Sequence, residues 1–113
     1  MSQHDDKVYL GHILESIKKI EQYLGDCDFK QFETNGLLVD GIIRNFEIIG
    51  EASNNISGEF KENNRGVNFR PAVSMRNRLA HGYDDINLHT IWDAIKQDLP
   101  VLETEIEKLL DQK

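Results

Sequence analysis

The chain carries one cysteine, Cys27, and two prolines, Pro71 and Pro100, in 113 residues. A lone cysteine cannot close an internal disulfide, so any fold rests on its core, and nothing points to an oxidising compartment. No apolar run approaches the roughly 20 residues that span a bilayer. The start, Met1-Ser2-Gln3-His4-Asp5-Asp6, is polar and acidic and lacks the pattern of a secretory signal. Strand-type alternation, internal repeats, low-complexity tracts and a glycine-rich phosphate loop are all missing. The expected setting is the cytoplasm, away from membranes.

Basic charge is also scarce. Thirteen Lys and Arg face twenty Asp and Glu, a formal net charge of −7. Taken over the whole surface, that argues against a nucleic-acid partner, which usually meets a basic face. The imbalance is local, however. From Phe60 to Tyr83 there are five basic residues (Lys61, Arg65, Arg70, Arg76 and Arg78) and one acid, Glu62, a net of +4. A positive site on an acidic body still steers and holds a polyanion.

What is present is helical periodicity in a chain of ordinary soluble composition, 39% hydrophobic and 29% charged. Its length fits one domain, residues 1–113, with a core large enough to need no staples. Leu10, Ile13, Leu14, Ile17, Ile20 and Leu24 form one apolar stripe, with Asp5 or Asp6 placed to cap its start and Gly25-Asp26 to stop it. A longer segment runs from about Asn35 to Ile56, with Leu37, Leu38, Ile42, Ile43, Phe46, Ile48 and Ile49 inward. It contains Gly36, Gly41 and Gly50. Each interior glycine costs about 1 kcal/mol against alanine, so three of them signal a close helix approach or a kink. Ser57–Asn68 reads as a loop. Pro71 suits the first turn of a third helix, with Ala72, Met75 and Leu79 inward and an end near Gly82. Asn87 is placed to cap a fourth helix carrying Leu88, Ile91, Trp92, Ile95 and Leu99. Pro100 should break or kink it, before a last piece that buries Leu102, Ile106, Leu109 and Leu110. The expectation is an all-α, up-and-down bundle of four to five helices.

The densest chemistry lies in Arg76-Asn77-Arg78-Leu79-Ala80-His81-Gly82-Tyr83. RNA carries its own nucleophile, the 2′-hydroxyl. Cleavage through it needs a proton carrier that works near neutral pH and donors aimed at the crowded phosphate, but no metal. His81 suits the first role, and the planar fork of Arg76 suits the second better than a lysine would. One histidine is few for a reaction with two proton transfers, and a homodimer that joins two motifs would supply another. A metal site has less support. His4, His12, His81 and His89 show no ligand spacing with carboxylates or with Cys27. The same Arg and His, five apart, also suit a surface pair with no chemistry.

The chain resembles the HEPN superfamily, and within it the HepT-like toxins. Arg76-Asn77-Arg78-Leu79-Ala80-His81 is similar to that family's R-x4-H motif, and Gly82-Tyr83 completes the R-x4-H-x-Y form. Ile42-Ile43-Arg44-Asn45-Phe46-Glu47-Ile48-Ile49-Gly50-Glu51-Ala52 looks like the signature second helix. Tyr9-Leu10, Ile13-Leu14-Glu15-Ser16-Ile17, Ile91-Trp92 and Asp98-Leu99-Pro100 extend the likeness over nearly the whole chain. One departure is Val67-Asn68-Phe69-Arg70-Pro71, where the family often has a Pro-Trp pair; Phe69 is expected to replace the aromatic packing.

The resemblance implies a homodimeric, metal-independent ribonuclease toxin without a cofactor, with two motifs facing a shared cleft. Arg76 and His81 would be the catalytic pair, and Asn77, Arg78 and Arg44 supporting residues. Glu47 would share the cleft with Arg44, or the two would form an ion pair on the helix surface. Gly50 beside Glu51 would allow close packing at the dimer seam. The partners implied are an RNA substrate (transfer or messenger RNA) and an antitoxin, a minimal nucleotidyltransferase of the MntA type that attaches AMP to Tyr83. Two other readings remain open: a non-catalytic subunit that presents a nucleotide or substrate to a nucleotidyltransferase, and a helical interaction module without chemistry. Tyr83 has a second reading of its own, a packing residue with its hydroxyl at the surface.

Overall fold

The computed structural model describes residues 3–82 and 86–111, and within them every regular element is helical. Helix α1 covers Gln3–Leu24, α2 Phe29–Glu33, α3 Gly36–Asn55, α4 Gly58–Asn63 and α5 Arg70–Ala80. Helices α6 (Leu88–Asp93) and α7 (Leu99–Asp111) flank a wide turn over Ala94–Asp98.

Local signals set most of the boundaries. Gly25 ends α1 at a φ of +53°, a left-handed conformation that costs glycine little. Asn35 caps α3 by accepting the Leu38 N–H, and Asn87 caps α6 by accepting the His89 N–H. Asn68 accepts the Arg70 N–H beside Pro71 at the start of α5. Phe69 is buried there, with the Lys61 ammonium 5.8 Å from its ring centroid, so it does supply aromatic packing ahead of the motif helix.

Helices α1 and α3 run antiparallel. The first turns of α1 meet Ser57, two residues beyond α3, while Tyr23, near the end of α1, lies against Gly41 near the start of α3. Helix α7 also runs antiparallel to α1. Lys18 pairs with Glu107 at 3.8 Å, and Glu21 shares a hydrogen bond with Glu103. Burial, that hydrogen bond and the nearby carboxylates raise the Glu103 carboxyl above its usual value. The core between these rods is built from Leu10, Ile13, Ile17 and Ile20 of α1, Ile42, Phe46 and Ile49 of α3, Met75 and Leu79 of α5, and Ile91, Leu102 and Ile106 beyond.

Several expectations are corrected. Asp6 does not cap α1. It is buried, and its carboxylate accepts both the N–H and the hydroxyl of Ser57, each at 2.8 Å. The Ser57 oxygen in turn accepts the Phe60 N–H at 3.1 Å and caps α4, a helix inside the segment read as a loop. Asp6→Ala strands these donors, so it is expected to lower stability by about 3 kcal/mol. Urea unfolding checks this; a loss below about 1 kcal/mol would show that the tie carries little.

Helix α2 also escapes the periodic pattern. Asp28 and Gln31 form a reciprocal capping box around it, and its Phe32 is fully buried. Leu37 and Leu110, expected inward, are 85% and 37% exposed. Pro100 does not break the helix. The turn before it widens, with the Leu99 N–H bonding the Ala94 carbonyl five residues back, and the rod continues into α7.

Candidate active site

Helix α5 carries the motif, and its crossing with α3 positions Arg76. The crossing is possible because residue 50 is glycine. A Cβ built there would lie 2.1 Å from Arg76 Cβ, 2.8 Å from Arg76 Cγ and 2.9 Å from the Ala72 carbonyl oxygen. No other glycine is approached so closely: Gly36 has open space around it, and Gly41 faces the Tyr23 ring at 3.5 Å. Gly50 is therefore buried against α5 of its own chain and is not free for a seam with a second one. Ala72, Met75 and Leu79 bury the adjoining face of α5. Arg76 is thus clamped at its base and half-buried, with its guanidinium towards the surface.

Asn77 holds the head of that side chain. Its Oδ1 accepts a hydrogen bond from an Arg76 terminal nitrogen at 3.2 Å. This satisfies one of the guanidinium's five donors and leaves others for an anion.

Helix α5 ends at His81. The His81 N–H bonds the Arg78 carbonyl at 3.3 Å and the Gly82 N–H bonds the Leu79 carbonyl at 3.2 Å, both three residues back, so the last turn tightens. Gly82 then leaves at a φ of +110°, a conformation that L side chains rarely adopt. His81 is exposed at this terminus, with its backbone satisfied and its imidazole free of any hydrogen bond to Arg76. Residues five apart on a regular helix lie about 140° apart around the axis, and the tightened last turn, at about 120° per residue, widens that angle. One chain therefore offers a fixed cation and an accessible imidazole on diverging directions of one helix end.

The other candidates are spread more widely. Arg78 is exposed and lines a groove between α5 and α6 with Thr90, Asp93, Gln97 and Asp98. Burial and then the charge of Asp93 raise the Asp98 carboxyl above its usual value. Arg44 is exposed on α3, Glu47 is half-buried, and they form no ion pair with each other. Tyr83 lies outside the described residues. Among the described residues, no group of three or more His, Cys, Asp or Glu side chains is placed to hold a metal, and no helix is long and apolar enough to cross a membrane. Sequence reasoning found Gly50 but not its partner. A glycine in a helix interior signals a close approach without saying to what.

The chain matches the family model described as Ribonuclease HepT-like over residues 13–109. It is 40% identical over 108 residues to a protein of Methanocaldococcus jannaschii whose name joins a gamma-glutamylcyclotransferase to a provisionally assigned RNase; the match covers 96% of this chain and 49% of that protein. The chain thus spans about half the length of that relative. A second Methanocaldococcus jannaschii protein, provisionally named an RNase, is 36% identical over 107 residues, covering 95% of this chain and 98% of its own length. A Thermococcus cleftensis protein named probable ribonuclease HepT is 36% identical over 103 residues, covering 91% and 94% respectively. No solved structure matches the chain.

Proposed function

The chain belongs to the HepT-like ribonuclease family, and on that premise we propose that it is a metal-independent endoribonuclease, the toxin of a toxin–antitoxin pair, acting in the cytoplasm as a homodimer. The observation that carries this reading is the end of α5. Arg76 is clamped against Gly50 and held by Asn77, and an exposed histidine follows at the helix terminus.

The chemistry follows from those groups. The guanidinium of Arg76 binds the scissile phosphate and stabilises the charge that builds on its oxygens. The 2′-hydroxyl attacks the adjacent phosphorus, its proton passes to a base, and the P–O5′ bond breaks as that oxygen takes up a proton. The products are a 2′,3′-cyclic phosphate and a 5′-hydroxyl. One His81 serves one of the two transfers, and the His81 of a second chain across a shared cleft serves the other. Arg44 and Arg78 add positive charge for the flanking phosphates.

The off-switch in this proposal is Tyr83. A cognate nucleotidyltransferase antitoxin of the MntA type transfers AMP from ATP to its hydroxyl and releases pyrophosphate. A bulky phosphodiester two residues from His81 then fills the phosphate site and repels RNA. The R-x4-H-x-Y spacing supports this role.

Expression in bacteria without the antitoxin tests the reading. Wild type is expected to stop growth, while Arg76→Ala and His81→Ala permit it, and purified wild type should cleave RNA in EDTA. Equal growth of all three, with intact RNA in EDTA, would leave the non-catalytic binding subunit and the helical interaction module. With ATP and the antitoxin, mass spectrometry should show added AMP that is lost in Tyr83→Phe. A variant that stays monomeric yet cleaves at full rate would remove the shared cleft.

A further inference from the structure

An aromatic cluster lies where α2 meets α6. Phe29 of α2 and His89 of α6 stack face to face, with ring centroids 3.8 Å apart and planes at 12°. Trp92, one turn further along α6, meets Phe29 edge-on at 5.7 Å, and Phe32 at 5.5 Å. The Lys96 ammonium lies 4.8 Å from the Trp92 ring centroid. Phe32 is fully buried and anchors the cluster, Phe29 and Trp92 are half-buried, and His89 is exposed.

Holding α2 in place accounts for Phe32 and Trp92, but not for His89. An exposed imidazole in parallel contact with one phenyl ring presents a second flat face outward. The stack on Phe29 orients the ring, and the backbone beneath it is held by the His89 N–H bond to the capping oxygen of Asn87 at 2.8 Å.

The stack also neighbours the candidate site. Thr90, next to His89, lines the same groove as Arg78 of α5. Neighbouring residues of α6 thus serve the stack and the groove that Arg78 lines, on a helix about 10 Å across with its side chains. Charges around the cluster are mixed: Lys30 and Lys96 against Asp28, Glu33 and Asp93. A site without net positive charge is ill suited to gripping phosphate, but a flat ring pair is suited to a base.

We propose that the Phe29–His89 stack is a platform on which an unpaired nucleobase of the RNA substrate, flanking the cleaved phosphate, lies against the outer face of His89. The platform rests on the ribonuclease reading above. It adds a preference for single-stranded RNA, since a paired base cannot stack on a side chain without leaving its duplex. It is tolerant of base identity, because every base has a π-face.

The test uses the full chain with His81→Ala to prevent cleavage, and fluorescein-labelled single-stranded RNA at fixed ionic strength. Adding His89→Ala should weaken binding about tenfold, which corresponds to about 1.4 kcal/mol. His89→Trp should restore it. The same strand with abasic sugars should bind both chains equally. A direct readout comes from Trp92, the chain's single tryptophan, whose fluorescence in the His81→Ala chain should be quenched by the intact strand and not by the abasic one. Unchanged affinity in His89→Ala, or an equal loss on the abasic strand, overturns the platform. If wild type cleaves RNA while His89 proves indifferent, the platform alone fails. If wild type neither binds nor cleaves RNA, both readings fall.

Discussion

Replacing Gly50 with alanine is expected to destabilise the protein by about 2 kcal/mol and to remove most of its RNA cleavage. The added methyl would meet Arg76 Cβ at 2.1 Å, and a rotamer change at Arg76 cannot move a Cβ away. It would also meet the Ala72 carbonyl at 2.9 Å, which is backbone. Relief therefore requires α3 and α5 to separate. Overpacking of this kind costs about 1–3 kcal/mol, occasionally more. Alanine's better helix propensity returns up to about 1 kcal/mol, so the clash wins. The functional loss is the larger effect, because separation moves the base of the side chain proposed to bind phosphate, and misplacement by about 1 Å costs about a hundredfold in rate. Gly11→Ala is the control. Gly11 is exposed on α1 with nothing near its missing Cβ, and the change should add about 0.5–1 kcal/mol. Urea midpoints and single-turnover cleavage measure both. A Gly50→Ala chain of wild-type stability and rate would mean that the crossing does not position Arg76.

His81→Ala should leave stability within about 0.5 kcal/mol of wild type and lower the cleavage rate by about 10²–10⁴-fold. The imidazole is exposed, and the bonds that end α5 use the backbone N–H groups of residues 81 and 82, which alanine keeps. Loss of a positioned acid or base accounts for the rate. If Arg76 and His81 act as one unit, the double variant Arg76→Ala with His81→Ala should be little slower than the worse single one. Multiplicative losses in the double variant would show two independent effects and count against a joint site.

The elements that a reader of the sequence finds are those whose signals are local. Asn35 and Asn87 cap their own helices, and Gly25 and Gly82 adopt the left-handed conformations that end α1 and α5. The stripe of Leu10, Ile13, Ile17 and Ile20 is buried as its spacing requires. Helices α2 and α4 were not legible, because five or six residues are too few to show a period. Ser57 was read as loop for the same reason, although its side chain caps α4. At Pro100 the proline was plain, but its missing N–H suits a helix end as well as a widened turn, and the residues around it do not choose between them.

The sequence by itself determined the helical class, the bounds of the long helices, and the arginine and histidine that chemistry can use, because each depends on neighbours within a turn or two. Tertiary structure alone decided what those residues meet. Asp6 binds Ser57, Gly50 seats Arg76 and Phe29 covers His89, in each case across tens of residues of chain. The physical reason is that helix periodicity states which face is apolar and not which other face will cover it. That choice is made by fit: a missing Cβ where two backbones cross, a buried carboxylate that needs donors, a flat ring that finds another.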